Sequence, residues 1–266
     1  MKYSELCRVY EELGSTSKRL EKTAILSEFL KKVHDKDKDV LYLLLGSLYP
    51  AYDAREIGIS TQTIIKALSK ALGISDEKII SEWKKIGDLG KVAESLMAGK
   101  KQSSLFSSEL TTEKVIRELI KLTEFEGKGT VGKKIDLIAG LLSDSNPIEA
   151  KYLVRILLSD LRIGIQENTI REAIADAFFP DNKKSASEKI QHAYDMNSDI
   201  ALIFEYAKKG LKELEKISLK AGSPVKAMLA QKVETIEEGF EEVGKPAAFE
   251  YKYDGFRLMI NKDEKG

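Results

Sequence analysis

With 266 residues, 42 % of them hydrophobic and 32 % charged, the chain has the length and apolar content for one large globular domain or two smaller ones. Its 43 basic and 43 acidic residues cancel, so net charge argues neither for nor against a nucleic-acid partner, and only a local patch can. The single cysteine, Cys7, excludes an intrachain disulfide and points to a reducing, cytoplasmic setting; the N-terminus has no apolar signal core, and no apolar run approaches the ~20 residues that span a bilayer.

Up to about residue 215 the chain reads as helix after helix. Apolar residues recur at three- and four-residue spacing, as in Ile25, Leu26, Phe29, Leu30 and Val33. The run Val40 to Leu45 reads as a buried helix segment. Start signals stand at Ser15 and Thr16, Ser75-Asp76-Glu77, Thr111-Thr112-Glu113, Asn146-Pro147 and Ser198-Asp199. Gly14, Gly73, Gly99, Gly127 and Gly210 sit where helices should end, and Pro50 and Pro180 forbid a helix from running through them. The expectation is a mainly α fold, with an all-helical domain of about a dozen helices. Cys7 and Trp83 read as core, Tyr42, Tyr49 and Tyr52 as packing, and Lys36-Asp37-Lys38-Asp39 as a solvated turn. His34 and His192 lie far apart with no partners at ligand spacing, so no metal site is indicated.

Near Ser218 the pattern changes. Gly222-Ser223-Pro224 has turn chemistry, and a short helix is expected over Thr235 to Val243. Alternation follows, with Phe249, Tyr251 and Tyr253 on one face and Glu250, Lys252 and Asp254 on the other, then Phe256 to Ile260 as a second short strand. Residues 1–217 thus form the helical domain, and 218–266 begin a second domain with a short β segment.

That segment contains E-x-K-x-D-G-x-R: Glu250, Lys252, Asp254, Gly255 and Arg257. A deprotonated, aimed lysine amine attacks phosphorus and forms a phosphoramidate. Gly255 lets backbone approach a nucleotide, Arg257 is a candidate phosphate or ribose partner, and Glu250 shares a face with Lys252 and can accept from an adenine amine. On spacing alone, a solvent-facing charged strand explains the same residues equally well.

The segment resembles nucleotidyl-transfer motif I of ATP-dependent DNA ligases of the archaeal and eukaryotic replicative type. Ser223 to Gln231 is similar to that family's entry to the adenylation domain, with Ala227 where a proline is usual. Glu56-Ile57-Gly58-Ile59-Ser60, the stretch from Gly87 to Ala93, the run from Gly127 to Leu142 and the run from Ala150 to Ile165 resemble its helical DNA-binding domain. The resemblance implies that Lys252 attacks the α-phosphate of ATP, releases pyrophosphate and carries AMP. The AMP then passes to the 5′-phosphate of a nick, and the 3′-hydroxyl displaces it to seal the strand. It also implies that Glu250 contacts adenine, that Arg257 contacts the nucleotide, and that Mg²⁺ serves the full-length enzyme through ligands outside this chain. Phe256 departs from the small or polar residue common in relatives.

The helical domain of this family grips nicked double-stranded DNA through the minor groove. Candidate contacts here are Lys133 and Lys134, in the first turn of a helix after Gly127-Lys128-Gly129-Thr130, and Arg155, on the face that carries Lys151. Arg162 and Gly164 in Leu161-Arg162-Ile163-Gly164-Ile165 complete the set, with Arg162 reaching a groove and Gly164 allowing close approach. For the lysines, solvated helix ends are the bland alternative. Asp160 stands where relatives often have a basic residue, and it either weakens the grip or pairs with Arg162. Lys100 to Phe106 resembles the box that binds the sliding clamp PCNA, with Gln102 as its head and Leu105 and Phe106 as its plug. The alternative is a loop whose Phe106 packs into its own core.

Two readings follow: a ligase whose parent protein seals nicks with ATP, and a DNA- or clamp-binding module without catalysis. The expectation for the 266-residue polypeptide is that it binds nicked DNA without sealing it, as a truncated form of the enzyme.

Overall fold

The computed structural model describes residues 1–99, 109–125, 127, 129–225, 232–251, 253–256, 258, 260 and 262. Fourteen α-helices form among them: α1 (Tyr3–Gly14), α2 (Arg19–Leu30), α3 (Val40–Leu44), α4 (Thr61–Leu72), α5 (Asp76–Ile86), α6 (Leu89–Ala98), α7 (Thr112–Glu124), α8 (Thr130–Asp144), α9 (Pro147–Leu157), α10 (Glu167–Phe178), α11 (Lys183–Met196), α12 (Ile200–Lys209), α13 (Leu211–Leu214) and α14 (Ile236–Val243). No helix among the described residues is long and apolar enough to cross a membrane.

Most of the expected start signals act as caps. Thr111 accepts the Lys114 N–H ahead of α7, and Asp199 accepts those of Ala201 and Leu202 ahead of α12. At α9, Asn146 and Glu149 form a reciprocal capping box with Pro147 in the first helical position. At α4, Ser60 caps the start and Gly73, at φ 66°, closes the end. Two signals work differently. Helix α2 begins after Lys18, while Thr16 accepts the Lys18 N–H at 3.1 Å and Ser15 donates to Glu12 O at the end of α1. Ser75 holds the N-cap position of α5 without a side-chain cap bond.

Helix α9 is buried on every side from Glu149 to Leu157, which makes it the centre of the core. Helix α6 lies along it, and α2 on α10 and α4 on α8 are the other extensive pairs. Tyr10 of α1 meets Tyr152 of α9 with ring centroids 4.7 Å apart, and its hydroxyl donates to Leu43 O at 2.9 Å. Cys7 is buried beside them. Trp83 is half-buried against the core. Tyr42 and Tyr49 are buried as packing residues, with the Tyr42 hydroxyl 2.6 Å from Asp199 Oδ1. The segment 36–39 is not simply solvated: Asp35–Asp37 is a turn of 3-10 helix, Asp37 binds the N-terminal amine at 2.9 Å, and Lys38 pairs with Glu205 at 2.6 Å.

Ile217 is the last buried apolar side chain among the described residues. Beyond it, Thr235 and Glu238 form a capping box that starts α14, and Phe240 of α14 meets Phe249 at 5.8 Å. The described residues between 249 and 262 form no strand, and residues 252, 257, 259 and 261 of the expected β segment lie outside the described residues. A lone two-stranded pair has no second layer on which to bury its apolar face. Accordingly Phe249, Tyr251, Tyr253, Phe256, Leu258 and Ile260 are all at least 76 % exposed.

Candidate nucleic-acid interface

The connection between α9 and α10, residues 158–166, carries an unusual backbone. Ser159 (φ 54°), Arg162 (φ 56°) and Gly164 (φ 61°) all lie in the left-handed region. That conformation costs a residue with a Cβ about 1–2 kcal/mol, and it persists only where the surroundings over-determine it. Here they do. Ser159 and Asp160 donate their N–H groups back to Ile156 O and Arg155 O, both at 2.9 Å, and finish α9. Arg155 Nη1 donates to Leu161 O at 3.3 Å. Lys22 of α2 reaches under the loop and donates to Ile163 O at 2.6 Å and Gly164 O at 2.9 Å. The side chains of Leu161 and Ile163 are buried as apolar anchors. Gly164 is needed twice, for its φ and because a Cβ there would stand 2.7 Å from Lys22 Nζ. The space beside this glycine is thus occupied from inside by the lysine.

Arg162, on this loop, points its half-exposed side chain outward. Its Nε lies 2.7 Å from Asp160 Oδ2 and its Nη1 3.6 Å from Asp88 Oδ2. Asp160 therefore pairs with Arg162, one of the two alternatives open in the sequence.

Arg155 corrects an expectation. It does not face solvent beside Lys151 as a DNA contact. It is 7 % exposed, with Nη2 2.6 Å from Asp88 Oδ2 across the α6–α9 contact. Lys151 is turned inward as well, 2.6 Å from Glu11 and 3.3 Å from Glu94. The reason is that α9 is covered all round: Arg155 enters a buried pair with Asp88, and Lys151, itself buried, reaches the partly exposed carboxylates of Glu11 and Glu94. Burial pushes the Asp88 carboxyl upward, but the Arg155 guanidinium, the Lys91 N–H and the charge of Arg162 outweigh it and hold its pKa below the ordinary value of 3.8. Asp88 also caps α6 through the Lys91 N–H at 3.2 Å. One carboxylate thus joins a helix start, a buried arginine and the surface Arg162.

A second cationic feature lies at the start of α8. Gly129, at φ 92°, is its N-cap, and the Thr130 hydroxyl donates to Gly127 O at 2.9 Å. The first turn presents exposed Lys133 and half-buried Lys134. Unpaired N–H groups at a helix start and nearby ammonium groups together attract phosphate. Among the described residues, no hydrogen bond or ion pair joins this turn to the loop of Arg162.

In the tail, Glu250 is exposed, and Gly255 takes φ 140°, a conformation suited to glycine. Lys252 and Arg257 lie outside the described residues, as do Gln102, Leu105 and Phe106 of the expected clamp box. Among the described residues no three His, Cys, Asp or Glu side chains converge to hold a metal ion.

Sequence reasoning missed Lys22 and Asp88. Lys22 had a visible signal: it falls on the apolar stripe of α2, four residues before Leu26 and seven before Phe29. Asp88 stands before a helix as a cap should, but its partner Arg155 is 67 residues away.

Residues 2–175 match the family model described as DNA ligase N terminus, and residues 227–266 match the one described as ATP dependent DNA ligase domain. The chain is 38 % identical over 265 residues to a DNA ligase of Thermococcus fumicolans, with 99 % of this chain and 46 % of that protein covered. It is 42 % identical over 264 residues to a DNA ligase of Methanobrevibacter smithii, covering 98 % and 47 %. To a DNA ligase of Nanoarchaeum equitans it is 37 % identical over 263 residues, covering 98 % and 46 %. The chain spans about half the length of the curated relatives it matches.

Proposed function

The chain belongs to the ATP-dependent DNA ligase family, and from that premise we propose that residues 1–217 hold nicked duplex DNA while Lys252 serves the whole protein as the AMP-carrying nucleophile. The boundary after Ile217 is supported by the end of the buried core there. In the proposed reaction, Lys252 Nζ forms a bond to the α-phosphorus of ATP as the bond to pyrophosphate breaks. The 5′-phosphate of the nick then displaces Lys252 from that phosphorus. Finally the 3′-hydroxyl attacks the 5′-phosphorus, AMP leaves, and the strand is closed. Glu250 and Arg257 are proposed to hold adenine and the nucleotide. Mg²⁺ is proposed to serve the full-length enzyme; among the described residues no cluster of its ligands stands.

The observation that carries the DNA-binding part is the loop 158–166. Its backbone is held in a costly conformation from inside, and it turns Arg162 outward. A phosphate is a natural partner for an arginine whose present partners are two carboxylates. Lys133 and Lys134 at the start of α8, and Gly164, complete the proposed contacts, which are sequence-independent and made through the minor groove. Gln102, Leu105 and Phe106 are proposed to engage a sliding clamp. The proposed compartment is the cytoplasm.

The test has two arms. Nicked and intact duplexes of unrelated sequence are titrated with the 266-residue polypeptide at several salt concentrations. Salt-sensitive binding indifferent to sequence is expected, and its absence overturns the DNA-binding reading. The polypeptide is expected to bind without sealing, so a sealed product from it overturns that part. Incubating the whole protein with α-labelled ATP and Mg²⁺ is expected to give a covalent adduct that Lys252→Ala lacks. An adduct that survives the substitution removes Lys252 as the nucleophile.

A further inference from the structure

Lys22 is an unusual residue for the interior of this protein. It is 7 % exposed, and its ammonium group donates to two backbone carbonyls, those of Ile163 and Gly164. No carboxylate lies within ion-pair distance of it among the described residues. A buried cation is costly without a counter-charge, and a neutral donor would suffice to satisfy one carbonyl. An ammonium group can satisfy both at once and leave its charge directly beneath the loop. Gly164 leaves the room this requires, because a Cβ would sit 2.7 Å from Nζ. The carbonyls of Ile163 and Gly164 are thereby drawn inward, one and two residues after the left-handed Arg162.

We infer that Lys22, from the buried face of α2, is a positioning residue for DNA binding: by holding the Ile163 and Gly164 carbonyls it fixes the loop in the shape that presents Arg162 to a phosphate. This rests on the DNA-binding reading proposed above. Lys22 itself touches no DNA. Its charge adds to the positive potential of the loop from below, where solvent screens it least.

The experiment compares wild type, Lys22→Met, Arg162→Ala and the double variant in binding nicked duplex across a salt series. Amide hydrogen exchange of residues 162–165 is followed in the DNA-free protein. The expected result for Lys22→Met is at least about tenfold weaker binding and a salt slope lower by roughly one, as for Arg162→Ala. Adding Arg162→Ala to Lys22→Met should cost less than about threefold more, because both changes remove one contact. Loop amides should exchange faster in Lys22→Met while those of α9 do not. Lys22→Arg, which keeps donors for the two carbonyls, should recover most of the affinity. If Lys22→Met lowers the folded fraction, Lys22→Gln carries the test, since its shorter, uncharged amide does not span to both carbonyls, and the same loss of slope is expected. Unchanged binding by these variants, or losses that multiply with that of Arg162→Ala at an unchanged slope, overturns the inference. Wild-type protein without salt-sensitive binding overturns the DNA-binding reading and this inference with it, whereas wild-type binding that ignores Lys22 overturns the inference alone.

Discussion

A Cβ added to Gly90 would stand 2.8 Å from Arg155 Cγ and 2.8 Å from Lys151 O, so α6 and α9 meet where a glycine lies against the aliphatic stem of an arginine. That contact brings Asp88, two residues before Gly90, within 2.6 Å of the Arg155 guanidinium. Gly90→Ala is expected to destabilise the fold by about 1–3 kcal/mol, because one of the two obstructing groups is backbone and cannot swing aside. Thermal or urea unfolding measures it, and an unchanged midpoint would show that the helices separate freely.

Asp88→Asn keeps the size of the side chain and an oxygen for the α6 cap, but leaves a buried guanidinium without its counter-charge. A loss of about 3–5 kcal/mol is expected at neutral pH. The pH dependence has a definite sign. The folded-state pKa of Asp88 is depressed, so its contribution is present above the ordinary value of 3.8 and is lost as pH falls through the lower folded value. The stability gap between wild type and Asp88→Asn should therefore close below pH ~3.8. A gap that stays constant into strong acid rules out an ionised Asp88 as its source.

Asp160 holds Arg162 at 2.7 Å, and both side chains are about half exposed. In the proposed DNA complex a phosphate must compete with this carboxylate. Such an exposed pair is worth at most about 1 kcal/mol, so Asp160→Asn should tighten binding to nicked duplex by up to about fivefold without shifting the unfolding midpoint appreciably. Weaker binding in a filter or fluorescence titration would show instead that Asp160 shapes the loop.

Arg162→Ala and Lys133→Ala remove charge from two separate places, the loop 158–166 and the start of α8. Each is expected to reduce the salt slope of binding by roughly one, to a similar extent on duplexes of different sequence. A loss confined to one sequence would mean that the residue reads bases.

Much of the helical structure is legible in the chain because its signals are local. Asn146, Pro147 and Glu149 lie within one turn of each other, and so do Thr235 and Glu238, and both sets form the boxes their spacing implies. Arg162 and Gly164 are legible as loop residues for the same reason. Arg155 is not, because a charged residue beside Lys151 on a helix reads as surface until α1 and α6 are seen to cover that face. Lys22 stays hidden because its partners lie 141 and 142 residues further along. The alternation from Phe249 onward is real as a pattern, yet a strand needs a neighbour to pair with, and the described residues supply none.

The distance along the chain between Lys22 and its carbonyls also sets an order of events. Residues 158–166 lie next to α9 and α10, but their shape depends on a side chain 141 residues earlier. Closing so long a span costs loop entropy and is expected among the later steps of folding, which a pulse-labelled exchange experiment on residues 162–165 would check. Any species in which α2 has not yet docked carries this loop's sequence without its conformation, so affinity for a nick should appear only as the native state is completed.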